Sequence, residues 1–431
     1  MIRRTFPLLL GICILTGLAG CARKQGPQLF SGMGTLHRDV SGASPDAQKY
    51  IDQGLTFAFA FNHDEAIRSF AEAARLSPDC AMGWWGLALS NGPHINNPAM
   101  DDEHSKAAWT ALQKAKSLAS KASKIEQALI EALSVRYADP AKGKLPSSPQ
   151  ERTPFDRAYA DKMQEVHQRF PDDADISVLY AESMMDLRPW DLYDQDGTPR
   201  PETPRIVQAL EMAMRIAPNH PGANHLYIHA TEASREPERA VSCADRLGKL
   251  VPAAGHLVHM PAHTYARVGR WEDAAESNRK AIAADAAYRK LVPAQGFYHV
   301  YMLHNRGFLA WASTMQGRSA EAIKAANEMV ASVPPEFIEH MAPVIDGYMP
   351  VALEVLMRFG KWEEILASPQ PRANLPIYTA MWHFTRGVAY ANTARLDEAQ
   401  SERAEFVKAA AAVPADRRVG NSPAPTVMKI A

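Results

Sequence analysis

Between Ala47 and Pro78 the chain reads AQKYIDQGLTFAFAFNHDEAIRSFAEAARLSP. Apolar and small residues recur three and four apart in two runs, separated by the polar break Asn62-His63-Asp64. This spacing predicts two amphipathic helices joined by a tight turn. Gly54 and Ala66 are small enough to let the two helices approach, Phe57 and Phe70 fill the seam, and Pro78 stops the second helix. The pattern returns along the chain. Ala240 and Ala274, 34 positions apart, stand where Ala66 stands, and Pro252 stands where Pro78 does. GRSAEAIKAANEMVASVP (317–334) repeats it with Ala322 and Pro334. GKWEEIL (360–366) and GVAYANTARLDEAQ (387–400) are weaker copies, and 155–187 and 203–218 read as degenerate helices of the same kind.

Pairs of helices with this period and these small, large and proline positions resemble the tetratricopeptide repeat. The fold class that follows is all-α: an α-solenoid of tetratricopeptide-type helix pairs over 45–431, clearest at 47–80, 221–254, 255–288 and 303–336. In such an array each pair buries itself only against its neighbours. Three proline-rich stretches break the period and read as loops: 91–102, 139–154 and 188–204. The stretches FAFNHDEAIRSFAEAARLSPDCAMGWWGLALSNGPHIN, RPWDLYDQDGTPRPETPR and GHLVHMPAHTYARVGRWEDAAESN resemble those of a bacterial family of exported tetratricopeptide proteins without an established activity. His94 departs from the asparagine that this resemblance implies. The resemblance also implies further helices after NSPAPTVMKIA, so the chain reads as a truncated copy or one that needs a partner there.

The N-terminus changes the picture of where such a solenoid works. Arg3 and Arg4 precede an apolar stretch from Phe6 to Leu18, which reads as an export signal over residues 1–20. Its ending, Leu18-Ala19-Gly20-Cys21, resembles a bacterial lipobox, which implies lipidation of Cys21 and an envelope location. The chain would be lipid-anchored at the outer membrane and face the periplasm. Residues 21–44, Gly/Ser-containing and without helical period, read as the tether. Without residues 1–20 there remain 45 basic and 48 acidic residues, with no basic block, which argues against a nucleic-acid partner. Cys80 and Cys243 lie isolated in apolar helical segments and read as buried thiols. An oxidising compartment leaves a disulfide between them open.

The candidate chemistry lies in NHLYIHATE (224–232) and GHLVHMPAHTY (255–265). His225 and His229 are four apart, as are His259 and His263, with His256 three before His259; each spacing shares a helix face. In the tetratricopeptide frame these five positions fall on first helices and line the concave groove, with Glu232, Arg267, His299 and His304 around it. Two imidazoles four apart on one helix are a common way to hold a metal ion, here Zn or Cu. Pro261 disfavours helix at Met260 and predicts a kink within the ladder. The chain has no G-x-S-x-G, no Walker loop and no H-E-x-x-H, so no catalytic set is assigned. The leading expectation is therefore a membrane-anchored interaction module that binds a protein or small ligand in a His-lined groove. The alternative is a metal-dependent enzyme or metal-handling protein that uses the five histidines.

Overall fold

The computed structural model describes residues 27–293 and 296–431, so Cys21 and the export signal lie outside the described residues. The described chain is all-α, with twenty-one α-helices and, among those residues, one two-residue β-hairpin at Arg418–Val419 and Ser422–Pro423. Successive helices pack in antiparallel pairs, and neighbours in sequence make the main contacts. No helix among the described residues is long and apolar enough to cross a membrane.

Local chemistry sets the boundaries. Helix Pro45–Phe59 starts at the Ser44 cap and pairs with His63–Leu76, whose cap is Asn62. The repeat at 221 opens with Pro221–Thr231, capped by the His220 ring and followed by Val241–Leu250. The next opens with Gly255–His259 and Pro261–Arg267, followed by Trp271–Leu291. The last of the clear repeats pairs His299–Met315 with Ser319–Ala331. Ala66, Ala240, Ala274 and Ala322 are all buried at the seams.

Phe70 shows how tight a seam is. A Cβ on Gly54 would lie 2.8 Å from its ring, and one on Gly86, in Ala81–Ser90, would overlap the ring from the other side. Gly86→Ala is therefore expected to lower stability by about 1–3 kcal/mol through overpacking. Lys114→Ala, on an exposed helix face, should leave the melting temperature unchanged. Equal melting curves for the two variants would contradict this account of the seam.

Three features differ from the expectation. The loop expected over 139–154 ends at Ser148, because Ser148 and Glu151 form a capping box and Pro149 takes the first helical position of Pro149–Arg169. The stretch expected as a tether is laid onto the solenoid from residue 27. Arg38 bridges Asp175 (2.6 Å) and Asp173 (3.0 Å), and the Phe30 ring sits 5.4 Å from Phe57 and 5.6 Å from Tyr288. A glycine- and serine-containing composition concealed these two anchors. Finally, the helix pairs do not contact only their neighbours. Phe59 O accepts a 2.7 Å bond from His225 Nδ1, and Tyr288 Oη donates to Glu65 at 2.9 Å. The first pair thus closes onto the repeats at 221 and 255.

Candidate functional site

That closure decides the fate of the histidines. His225 and His229 sit on Pro221–Thr231, with Pro221 at its first position and every residue buried. His256 and His259 sit on Gly255–His259, and His263 follows on Pro261–Arg267. Pro261 does break the hydrogen-bond ladder, yet Met260 stays in helical geometry and the His259 and His263 rings still meet at 4.9 Å. None of His225, His229, His256 or His259 faces an open groove; all four are buried. An open, His-lined concave groove is therefore not what forms here. The first helix pair and two of the proline-rich loops fill the concave side.

Phe61 lies 4.6 Å from His225 and 5.8 Å from His256, ring to ring. Trp190, from the 188–204 loop, meets His229 edge-on at 4.9 Å. Phe61 (φ 55°) and Trp190 (φ 62°) are two of the three non-glycine residues with positive φ among the described residues. Bulky side chains rarely adopt that backbone, and holding one there costs on the order of 1–3 kcal/mol. Both strained residues place an aromatic ring against the same histidines. From the 91–102 loop, His94 stacks on Phe61 at 4.5 Å and meets His63 at 4.4 Å, so the departure at position 94 borders the site.

The imidazoles fall into two sets of three, each with nitrogens mutually within 4.8 Å: His225, His229 and His256, and His259, His263 and His304. Ring centres within the first set are 4.8–6.2 Å apart and within the second 4.7–5.5 Å. The sets adjoin, with His256 to His259 at 6.0 Å and His229 to His263 at 6.1 Å. His304, expected only at a rim, is a full member of the second set. It is carried by helix His299–Met315, which begins one turn before the repeat was expected to start. Glu232 binds His263 Nδ1 at 2.7 Å and so stands behind that ring. Arg267 and His299 are not part of the group. Arg267 is exposed and donates to Ser234 O, and the buried His299 packs against Phe337 at 4.9 Å.

Hydrogen bonding fixes the tautomers of two of these rings. Asn278 Nδ2 donates to Ala274 O, which leaves Asn278 Oδ1 to accept from His259 Nδ1 at 2.7 Å. The Glu232 carboxylate can only accept from His263 Nδ1. With both protons on Nδ1, two Nε2 lone pairs face each other at 2.9 Å, with His304 Nε2 3.4 Å from His263 Nε2. Two nitrogens on one tetrahedral ion, each at about 2.1 Å from it, would stand about 3.4 Å apart. A partner that fixes the outer nitrogen is the usual support of a metal-bound histidine. In the first set His225 Nδ1 is held by Phe59 O, and His225 Nε2 and both nitrogens of His229 and His256 are buried without a hydrogen-bond partner. Burial holds His225 and His304 down to about 3, and His229, His256 and His259 well below the ordinary imidazole value. They are neutral at pH 7, the form that ligates. A small pocket lined by Ile95, Trp190, Leu192, His229 and Glu232 leads from the surface toward them.

No family model matches the chain, and no curated protein does. Solved helical-repeat structures are similar to it at low identity. The human IFIT1 dimer with m7Gppp-AAAA is 15% identical over 83% of this chain and 76% of that one, with a TM-score of 0.36. Yeast Tom70 is 11% identical over 89% and 88%, at 0.33. The Cut9–Hcn1 hetero-tetramer is 10% identical over 92% and 78%, at 0.37. Superposition at these scores adds nothing to the order of paired helices, which is that of a tetratricopeptide-like helical repeat protein.

Proposed function

We propose that this chain is a tetratricopeptide-like metal-binding protein whose six histidines hold two transition-metal ions, Zn or Cu. The motif at Cys21 supports a lipid-anchored place for it in the cell envelope. The observation that carries the metal reading is the pair of facing Nε2 atoms of His259 and His263, 2.9 Å apart, with each Nδ1 already committed to an acceptor. Unrelieved, two lone pairs at that distance repel. An ion between them removes the repulsion, as would a proton on His263. The interaction-module reading rests on the concave surfaces that stacked helix pairs generate. It loses ground at the histidines, because Phe61 and the two loops occupy that surface there.

Protein purified without chelator is expected to carry two equivalents of metal by elemental analysis. His263→Ala should lose one of them and His229→Ala the other, with helical content retained in both. His37 is exposed and bonded to Asp52 and Asp39, so His37→Ala should change nothing. Metal-free protein that gains no thermal stability when Zn, Cu, Ni or Fe is added would leave the shared-proton account in its place.

A further inference from the structure

The two histidine sets are not alike, and the difference bears on which ion each would hold. This inference rests on the metal reading above. The set of His259, His263 and His304 is half open: His263 and His304 are only partly buried. It also has a carboxylate one ring away, because Glu232 accepts from His263 Nδ1 at 2.7 Å. A divalent ion there would have a compensating negative charge one ring away, with water as the remaining source of a fourth ligand. Three histidines plus water is a usual arrangement for zinc.

The set of His225, His229 and His256 is the more deeply buried, and no carboxylate bonds to its rings, although His229 lines the small pocket beside Glu232. All three rings are buried, and the rings packed on them are Phe61, Trp190 and Tyr301. The only polar support is a neutral one, Phe59 O on His225 Nδ1. No carboxylate or thiolate belongs to the set. Transferring an ion from water into such surroundings costs free energy in proportion to the square of its charge, so a divalent ion is penalised about four times as heavily as a monovalent one. Neutral imidazoles serve copper as well as zinc. Monovalent copper is satisfied by three of them in a plane and needs no anion or water to complete its shell. We infer that the buried set of His225, His229 and His256 is a site for monovalent copper, beside a divalent site at His259, His263 and His304.

The test titrates the chelator-stripped full chain, without oxygen. Zinc is added first, then Cu(I) as its acetonitrile complex in competition with a bicinchoninate chelator. One equivalent of zinc is expected to bind, followed by one equivalent of Cu(I) that leaves the zinc in place. His256→Ala should lose the copper and keep the zinc, and His304→Ala should do the reverse. The wild-type titration decides the matter even if a variant fails to fold. Two equivalents of zinc that Cu(I) cannot displace would overturn the assignment of copper and leave the metal reading standing. Uptake of neither ion would overturn both.

Discussion

Replacing Arg136 by alanine is expected to destabilise the protein by about 3–5 kcal/mol, the range for removing one partner from a buried ion pair. Against a total stability of roughly 5–15 kcal/mol this is the largest single-residue effect the structure implies. Arg136 is buried, and its guanidinium is the common anchor of separate elements. Nη2 donates to Asp186 at 2.6 Å and to Pro93 O at 3.1 Å, and Nε donates to Asp156 at 3.2 Å. Asp156 lies in Pro149–Arg169, Asp186 ends Ala174–Met185, and Pro93 belongs to the loop that brings His94 to the site. The carboxylates outnumber what remains, since Arg152 reaches only Asp156, at 3.0 Å. Burial and the neighbouring Asp186 already push the Glu182 carboxyl above its ordinary range, so further unpaired negative charge here is disfavoured. Arg136→Lys should recover little, because an ammonium cannot serve two carboxylates and a carbonyl in the guanidinium's fixed fork. Arg75→Ala supplies the comparison: its guanidinium is exposed and screened by solvent in the i,i+3 pair with the buried Glu72, so the loss should be much smaller. Thermal melts that drop equally for Arg136→Ala and Arg75→Ala would refute this.

Nothing in SVRYADP, the stretch around Arg136, marks it out, and the reason is general to this chain. What the sequence made legible is local. The helical period placed the pairs, and the small residues at the seams were readable because a helix presents them at fixed intervals. The phase of His225, His229, His256, His259 and His263 was readable for the same reason. The unreadable part depends on long-range closure. His225 meets Phe59 across 166 positions, and no local pattern announces that the first helix pair will fill the concave side. The loops at 91–102 and 188–204 were recognisable as interruptions, but not as the lids that carry His94 and Trp190 onto the histidines. The histidines were expected in one ladder lining a groove. They are divided three and three because His256 turns toward His225 and His229, while His259 and His263 meet His304 from a later helix.

Acid should unfold the metal-free protein well before its carboxylates are titrated. Nine buried or partly buried histidines are held below the ordinary imidazole value, burial being the first cause in each: His63 and His299 to about 4, His225 and His304 to about 3, His94, His229, His256 and His259 well below 6.5, and His167 in the same direction. In the unfolded chain each takes up a proton near pH 6.5. Below that pH the unfolded state therefore binds more protons than the native one. The histidine contribution is complete above about 6.5 and is lost as pH falls toward the folded values. Five carboxyls oppose this, because burial pushes Asp285 up to about 7 and raises Asp186 (despite Arg136), Glu182, Asp346 and Glu354 as well. Their stabilising share is present at low pH and lost as pH rises through those values. Counting all five at full weight against the nine leaves a balance of four histidines, each worth about 1.4 kcal/mol per pH unit, or roughly 5 kcal/mol per unit as an upper figure. Urea midpoints of chelator-treated protein should accordingly fall steeply between pH 6.5 and 5. The slope should lessen when His229 and His256 are both replaced by glutamine, which cannot be protonated. Bound metal should move the transition to lower pH, since a ligating nitrogen cannot accept a proton without releasing the ion. An unchanged midpoint from pH 7.5 to 5.5 in the metal-free protein would mean that these rings are not held neutral in the dry interior described above.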